Sequence, residues 1–139
     1  MKTLFFAFVL CLAASVCNAA TPDFTYLTGL ALTIEARKDQ LYSDVDTAQP
    51  AAVVAADRAA LSTACQDLRS ALQPFVPGSS NDGPDFNYLS NVALVLQAEK
   101  DFLYQDMDTH QSASEISTAR GDLDYWCEDM IEDLSCFLP

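Results

Sequence analysis

An internal repeat is the feature that most constrains how this chain can fold. The hexapeptide PDFTYL that starts at Pro22 returns as PDFNYL at Pro84, 62 positions later. The alignment continues without a gap to Pro77 and Pro139, and 24 of its 56 residue pairs are identical. We call residues 22–77 the first copy and residues 84–139 the second. Such a repeat predicts two copies of one unit that must pack together to bury their apolar faces.

Each copy contains two segments with the apolar spacing of an amphipathic helix. The segments are separated at residues 46–50 and 108–112, and alternation typical of strands is absent. Pro22 and Asp23 suit the first turn of a helix, and Ser112 with Glu115 fits a capping box. The apolar positions of the first copy are Leu27, Leu30, Ala31, Ile34, Leu41 and Val45, then Val54, Leu61, Cys65, Leu68 and Leu72.

The sequence therefore predicts an all-α fold in which a duplicated helical hairpin forms a small antiparallel four-helix bundle with pseudo-twofold symmetry. The first hairpin is expected over residues 20–77 and the second over 84–139, within one domain. The linker between them, residues 78–83, is rich in Gly, Ser, Asn and Asp, which favour turns.

Residues 1–19 have the pattern of a cleaved secretory signal peptide. An apolar run follows Lys2, and small residues precede a cleavage point after Ala19. The mature protein is thus expected to be secreted and extracellular, without a membrane anchor. Disulfides persist along that route.

Three cysteines remain after such cleavage. Cys65 and Cys127 are equivalent in the two copies and lie in apolar stripes, so we predict a stabilising disulfide between them. A Cys127–Cys136 bond is the alternative. Cys136 has no counterpart in the first copy and is predicted to be an intermolecular thiol that links a homodimer.

Charge separates the two copies. The chain has 20 acidic and 7 basic residues, a formal net charge of −13, which argues against nucleic-acid binding. The first copy carries −3 and the second −10. A solvated face would explain the excess, but a docking face for a cationic protein or surface is the alternative. The excess lies mainly on the last segment, where the first copy has a single acidic equivalent, Asp67, and the second has Asp122, Asp124, Glu128, Asp129, Glu132 and Asp133.

Four basic residues fall within the apolar stripes: Lys38, Arg58 and their equivalents Lys100 and Arg120. Their stems could lie along the seam while the charged ends pair with carboxylates such as Asp44, Asp46 or Glu35. Alternatively, Lys38 with Arg58, and Lys100 with Arg120, could bind the anionic head of a lipid. Tyr42 and Tyr104 follow the lysines by one turn and could join either arrangement.

The remaining motifs predict little chemistry. The acidic loops that contain Asp44 and Asp46, or Asp106 and Asp108, invite calcium but lack EF-hand spacing. His110 stands where the first copy has Ala48, so we expect no enzyme, cofactor or metal site. The preferred function is a secreted acidic interaction or structural protein. The alternatives are a carrier of lipids or small hydrophobic molecules and a low-affinity calcium-binding protein.

Overall fold

Four long helices make up the protein. The structure, a computed structural model, describes residues 21–78 and 83–139. The predicted signal peptide and residues 79–82 of the predicted linker lie outside this part. No strand occurs within it, and the predicted all-α fold is confirmed. The helices are α1 (Phe24–Asp46), α2 (Ala51–Leu72), α3 (Phe86–Asp108) and α4 (Ala113–Ser135), and a short 3-10 helix spans Gln73–Gly78.

The helices contact one another in a ring. Contacts join α1 to α2, α2 to α3, α3 to α4 and α4 to α1, which is consistent with a small helical bundle. In the described part of the chain, no Cα atom of α1 lies within 8 Å of one in α3, and the same holds for α2 and α4, so these pairs occupy the diagonals. Loops of four residues join α1 to α2 and α3 to α4, and connections this short make neighbouring helices antiparallel.

The repeat is visible in the core, because equivalent positions of both copies are buried. Eight equivalent pairs lie within it, and their apolar side chains provide the main stabilising contribution to a bundle of this size. The pairs are Leu27/Leu89, Ala31/Ala93, Ile34/Leu96, Leu41/Leu103, Leu61/Leu123, Cys65/Cys127, Leu68/Met130 and Leu72/Leu134.

The helix starts show where local sequence signals are reliable. The capping box is confirmed: Ser112 Oγ accepts a hydrogen bond from the Glu115 N–H, and the Glu115 carboxylate accepts one from the Ser112 N–H. Helix α1 begins at Phe24, not at Pro22, because the Asp23 carboxylate accepts from the Tyr26 N–H at 3.0 Å and makes Asp23 the N-cap.

Both hairpin loops end the preceding helix with the same motif. After α1, the Gln49 N–H donates to the Asp44 carbonyl at 2.9 Å. After α3, the Gln111 N–H donates to the Asp106 carbonyl at 3.0 Å. These are Schellman motifs, which place one residue in the left-handed region. Ala48 and His110 occupy that position with φ values of 54° and 55°. His110 thus has a structural place in the loop.

Replacing Ala48 with glycine is expected to stabilise the protein by about 0.5–1 kcal/mol, because alanine is strained at positive φ and glycine is not. Urea denaturation of the wild type and Ala48→Gly checks this. Glycine at Ala55, inside α2, is the control and should destabilise by a similar amount. Destabilisation by Ala48→Gly as well as by Ala55→Gly would contradict the argument.

The structure does not support the predicted Cys65–Cys127 disulfide. Both residues are buried free thiols, and they lie on the diagonal helices α2 and α4. No Cα atom of α2 comes within 8 Å of one in α4, whereas a disulfide needs about 4.4–6.8 Å. Cys127 and Cys136 are no better placed, since α4 runs through Ser135 and separates them by about 13 Å. Stabilisation of this bundle therefore comes from packing.

Candidate functional site

Two polar clusters are built into the bundle, each from both copies of the repeat. The Lys38 cluster combines Lys38 and Tyr42 of α1 with Arg120 and Asp124 of α4. The Lys100 cluster combines Lys100 and Tyr104 of α3 with Arg58 of α2. Each lysine is almost completely buried, with residue exposures of 5% for Lys38 and 4% for Lys100.

Charge pairing holds the Lys38 cluster together. Lys38 Nζ lies 2.5 Å from the Asp124 carboxylate and 3.3 Å from that of Asp39. Burial lowers the pKa of Lys38, but the hydrogen bond and charge of Asp124 outweigh it, so the pKa is raised overall. The Tyr42 ring packs under the Arg120 guanidinium with 4.6 Å between the guanidinium carbon and the ring centroid. Burial also raises the pKa of Tyr42.

The Lys100 cluster has the same plan but lacks one carboxylate. Ser62 stands where Asp124 is found in the other copy. Lys100 pairs instead with its neighbour Asp101. Its Nζ lies 4.8 Å from the centroid of Tyr104, whose hydroxyl donates to the Arg58 carbonyl at 2.9 Å. Burial raises the pKa of Tyr104 to about 12 and that of nearby Cys65 to about 11.

The clusters differ from the anion-binding pairs considered from the sequence. Lys38 and Arg120 share the Tyr42 ring, and Lys100 and Arg58 share the Tyr104 ring, so each lysine is grouped with the arginine of the other copy. The charges pair internally, as in the simpler interpretation, although Lys38 uses Asp124. The clusters thus join the two copies to each other.

Arg58 and Arg120 form ion pairs with carboxylates that the calcium hypothesis assigned to the metal. Arg58 lies 2.7 Å from Asp108, and Arg120 lies 2.9 Å from Asp46. The Arg120 hydrogen bond lowers the pKa of Asp46. Within residues 21–78 and 83–139, no group of three or more His, Cys, Asp or Glu could hold a metal ion.

A groove between α3 and α4 brings several acidic side chains together around an exposed aromatic ring. Its volume is about 380 Å³. A second acidic group lies farther along the same two helices, where the Tyr88 hydroxyl donates to the Asp129 carboxylate at 2.9 Å and Asp133 is nearby. We call the surface that carries both groups the α3/α4 groove. Its wider end is lined by Glu99, Phe102, Asp106, Glu115 and Asp122, with Ser114, Thr118 and Ala119.

Like charges repel one another along this groove. Burial raises the pKa of Glu99, and the nearby Asp122 charge raises it further. Burial, together with Asp129, also raises the pKa of Asp133. The hydrogen bond to Asp129 raises the pKa of Tyr88 to about 12. The deprotonated forms of Glu99, Asp133 and Tyr88 are therefore disfavoured, and a nearby cation would favour them.

Within residues 21–78 and 83–139, no lysine or arginine forms an ion pair with a carboxylate of the groove. The ion pairs of the described residues use other carboxylates, namely those of Asp39, Asp46, Asp101, Asp108 and Asp124. The six acidic residues singled out on the last helix are thus divided by the structure. Asp122, Asp129 and Asp133 line the α3 side, Asp124 pairs with Lys38, and Glu128 and Glu132 are exposed.

The sequence analysis missed the contribution of α3 to this groove. Phe102 is 57% exposed, and Tyr88 is 44% exposed. The first copy has Gln40 at the position of Phe102 and Arg37 at that of Glu99. Phe102 and Glu99, which appear in the second copy only, were the available signal in the sequence. A comparison restricted to the acidic residues of the last helix did not reveal them.

Comparison with protein-family models, with curated proteins and with solved structures finds no match for this chain. No helix in the described part combines the length and apolarity needed to pass through a bilayer.

Proposed function

We propose that this protein is a secreted, non-enzymatic interaction protein that docks a cationic partner in the α3/α4 groove. The observation that carries the proposal is the row of unneutralised carboxylates of Glu99, Asp122, Asp129 and Asp133 along one face. The partner's basic groups would supply the missing counter-charges.

The energetics of the groove support this function. Uncompensated like charges lower the stability of the folded chain. Binding surfaces often contain residues that lower the stability of the fold, because those residues are retained for binding rather than for folding. Only Asp129 among these carboxylates has an acidic equivalent in the first copy, Asp67. The positions of Glu99, Asp122 and Asp133 are occupied there by Arg37, Ala60 and Ala71. The acidic groove is therefore a property of one copy and is not required by the fold.

Neutralising the groove should weaken binding of a cationic probe. The test variant is Glu99→Gln/Asp122→Asn/Asp129→Asn, and the probe is a deca-lysine peptide measured by titration calorimetry at physiological ionic strength. We expect the dissociation constant to rise at least tenfold, because three paired charges are lost. The neutralised variant should also unfold at a higher temperature, since repulsion is removed.

The first copy offers a control with the same change in net charge. Asp44→Asn/Asp57→Asn/Asp67→Asn removes three carboxylates from α1 and α2. This control should change the dissociation constant by less than threefold. If both triple variants weaken binding equally, the peptide senses net charge rather than a located groove, and the proposal is wrong.

The other functions considered from the sequence remain predictions. A lipid carrier would need an apolar cavity, whereas the bundle interior is filled by fully buried leucines such as Leu41, Leu61 and Leu103. A calcium site would need the carboxylates of Asp46 and Asp108, which form ion pairs with Arg120 and Arg58. Cys136 is an exposed thiol at the C-cap of α4, so the disulfide-linked homodimer also stays a prediction.

A further inference from the structure

The α3/α4 groove contains exposed aromatic side chains as well as carboxylates. Phe102 lines the same cavity as Glu99, Asp106 and Asp122 and is 57% exposed. At the other end, Tyr88 is 44% exposed and Tyr125 is 59% exposed. Burying such rings contributes to binding through their apolar area, which simple charge pairing does not use.

The spacing of the acids follows the helix axis. On α4, Asp129 and Asp133 lie 7 and 11 residues after Asp122, which is about 10 and 16 Å along the helix axis at 1.5 Å per residue. Basic residues at positions i, i+7 and i+11 of a second helix, laid along the groove, have the same spacing and share one face. An apolar residue on that face would reach Phe102.

We infer that the partner of the α3/α4 groove presents a cationic amphipathic α-helix, whose basic residues pair with the groove carboxylates and whose apolar residue packs on Phe102. This inference rests on the proposed function and specifies the partner. Helix-in-groove recognition works in this way when apolar anchors enter a groove and charges set the register.

Two synthetic peptides of identical composition test the helical form of the partner. One is an 18-residue peptide of Lys and Leu with lysines at positions i, i+7 and i+11 and a leucine one turn before position i, all on one helical face, and the other is its scrambled sequence. We expect the amphipathic peptide to bind at least tenfold more tightly and to gain helical circular dichroism on binding. Equal affinities would overturn the inference.

Phe102→Ala tests the aromatic anchor. It should weaken binding of the amphipathic peptide at least fivefold and leave deca-lysine binding within twofold. Leu32→Ala removes a similarly exposed apolar side chain, 49% exposed, from α1 and should leave both within twofold. If Phe102→Ala leaves the amphipathic peptide's affinity unchanged, the inference is wrong. The proposed function fails separately, when the two triple charge variants act alike on deca-lysine.

Discussion

Leu123→Ala is expected to lower the free energy of unfolding by about 3–4 kcal/mol, and Leu61→Ala by the same amount. The two leucines are equivalent in the repeat, and both are 0% exposed. Removing a buried leucine side chain loses its transfer free energy and leaves a cavity that the neighbours fill only in part. The loss is a large fraction of the roughly 5–15 kcal/mol that a domain of this size possesses.

Both variants should still unfold in a single transition, because each hairpin buries its apolar stripe against the other. Denaturation followed by far-UV circular dichroism and by Trp126 fluorescence measures this. Leu32→Ala, at an exposed position, should cost less than about 1 kcal/mol. Two separated transitions, or a cost below 1 kcal/mol for either core variant, would contradict a single shared core.

Asp124→Ser is expected to destabilise the protein by about 2 kcal/mol, because buried Lys38 loses the carboxylate with which it pairs. Serine is chosen because Ser62 occupies the equivalent position of the first copy. Losing one partner of a fully buried ion pair costs about 3–5 kcal/mol. The cost here is lower because the Asp124 side chain is 43% exposed and Asp39 remains 3.3 Å from Lys38 Nζ. The reverse change, Ser62→Asp, offers buried Lys100 a second carboxylate and should stabilise by about 1 kcal/mol.

The effect of Asp124→Ser should depend on pH in one direction. The pKa of Lys38 is raised in the folded state, so the pair contributes fully below the usual lysine pKa of about 10.4. That contribution is lost as the pH rises through the higher folded value. Urea denaturation of the wild type and both variants from pH 6 upwards is the measurement. A difference between the wild type and Asp124→Ser that does not shrink as the pH rises above the usual lysine pKa of about 10.4, or destabilisation by Ser62→Asp, would contradict the charge argument.

The sequence predicted the helices well because their signals are local. Apolar spacing of three and four residues decides which side of a helix is buried, and both copies report it independently. The capping box at Ser112 needs only four consecutive residues. The start of α1 was misplaced by two residues because Pro22 and Asp23 offer competing signals, and the Asp23 side chain decided the outcome.

The sequence did not reveal which helix faces meet. Cys65 and Cys127 are both in the core, as predicted, but periodicity gives a direction on each helix and not the distance across a diagonal. For the same reason Lys38 was grouped with Arg58 of its own hairpin, although α1 uses the arginine of α4. The α3/α4 groove depends on the same information, since Glu99 and Asp122 are 23 residues apart in the chain.

The crossed polar clusters have a consequence for how this chain can vary. A dimer of two identical hairpins would build the same lysine, tyrosine and arginine contacts, but every substitution would then appear twice, once in each subunit. Joining the hairpins in one polypeptide removes that constraint. Asp124 and Ser62 are equivalent positions that differ between the two copies, as are Phe102 and Gln40. Covalent linkage thus allows one half of the molecule to specialise while the other keeps the fold.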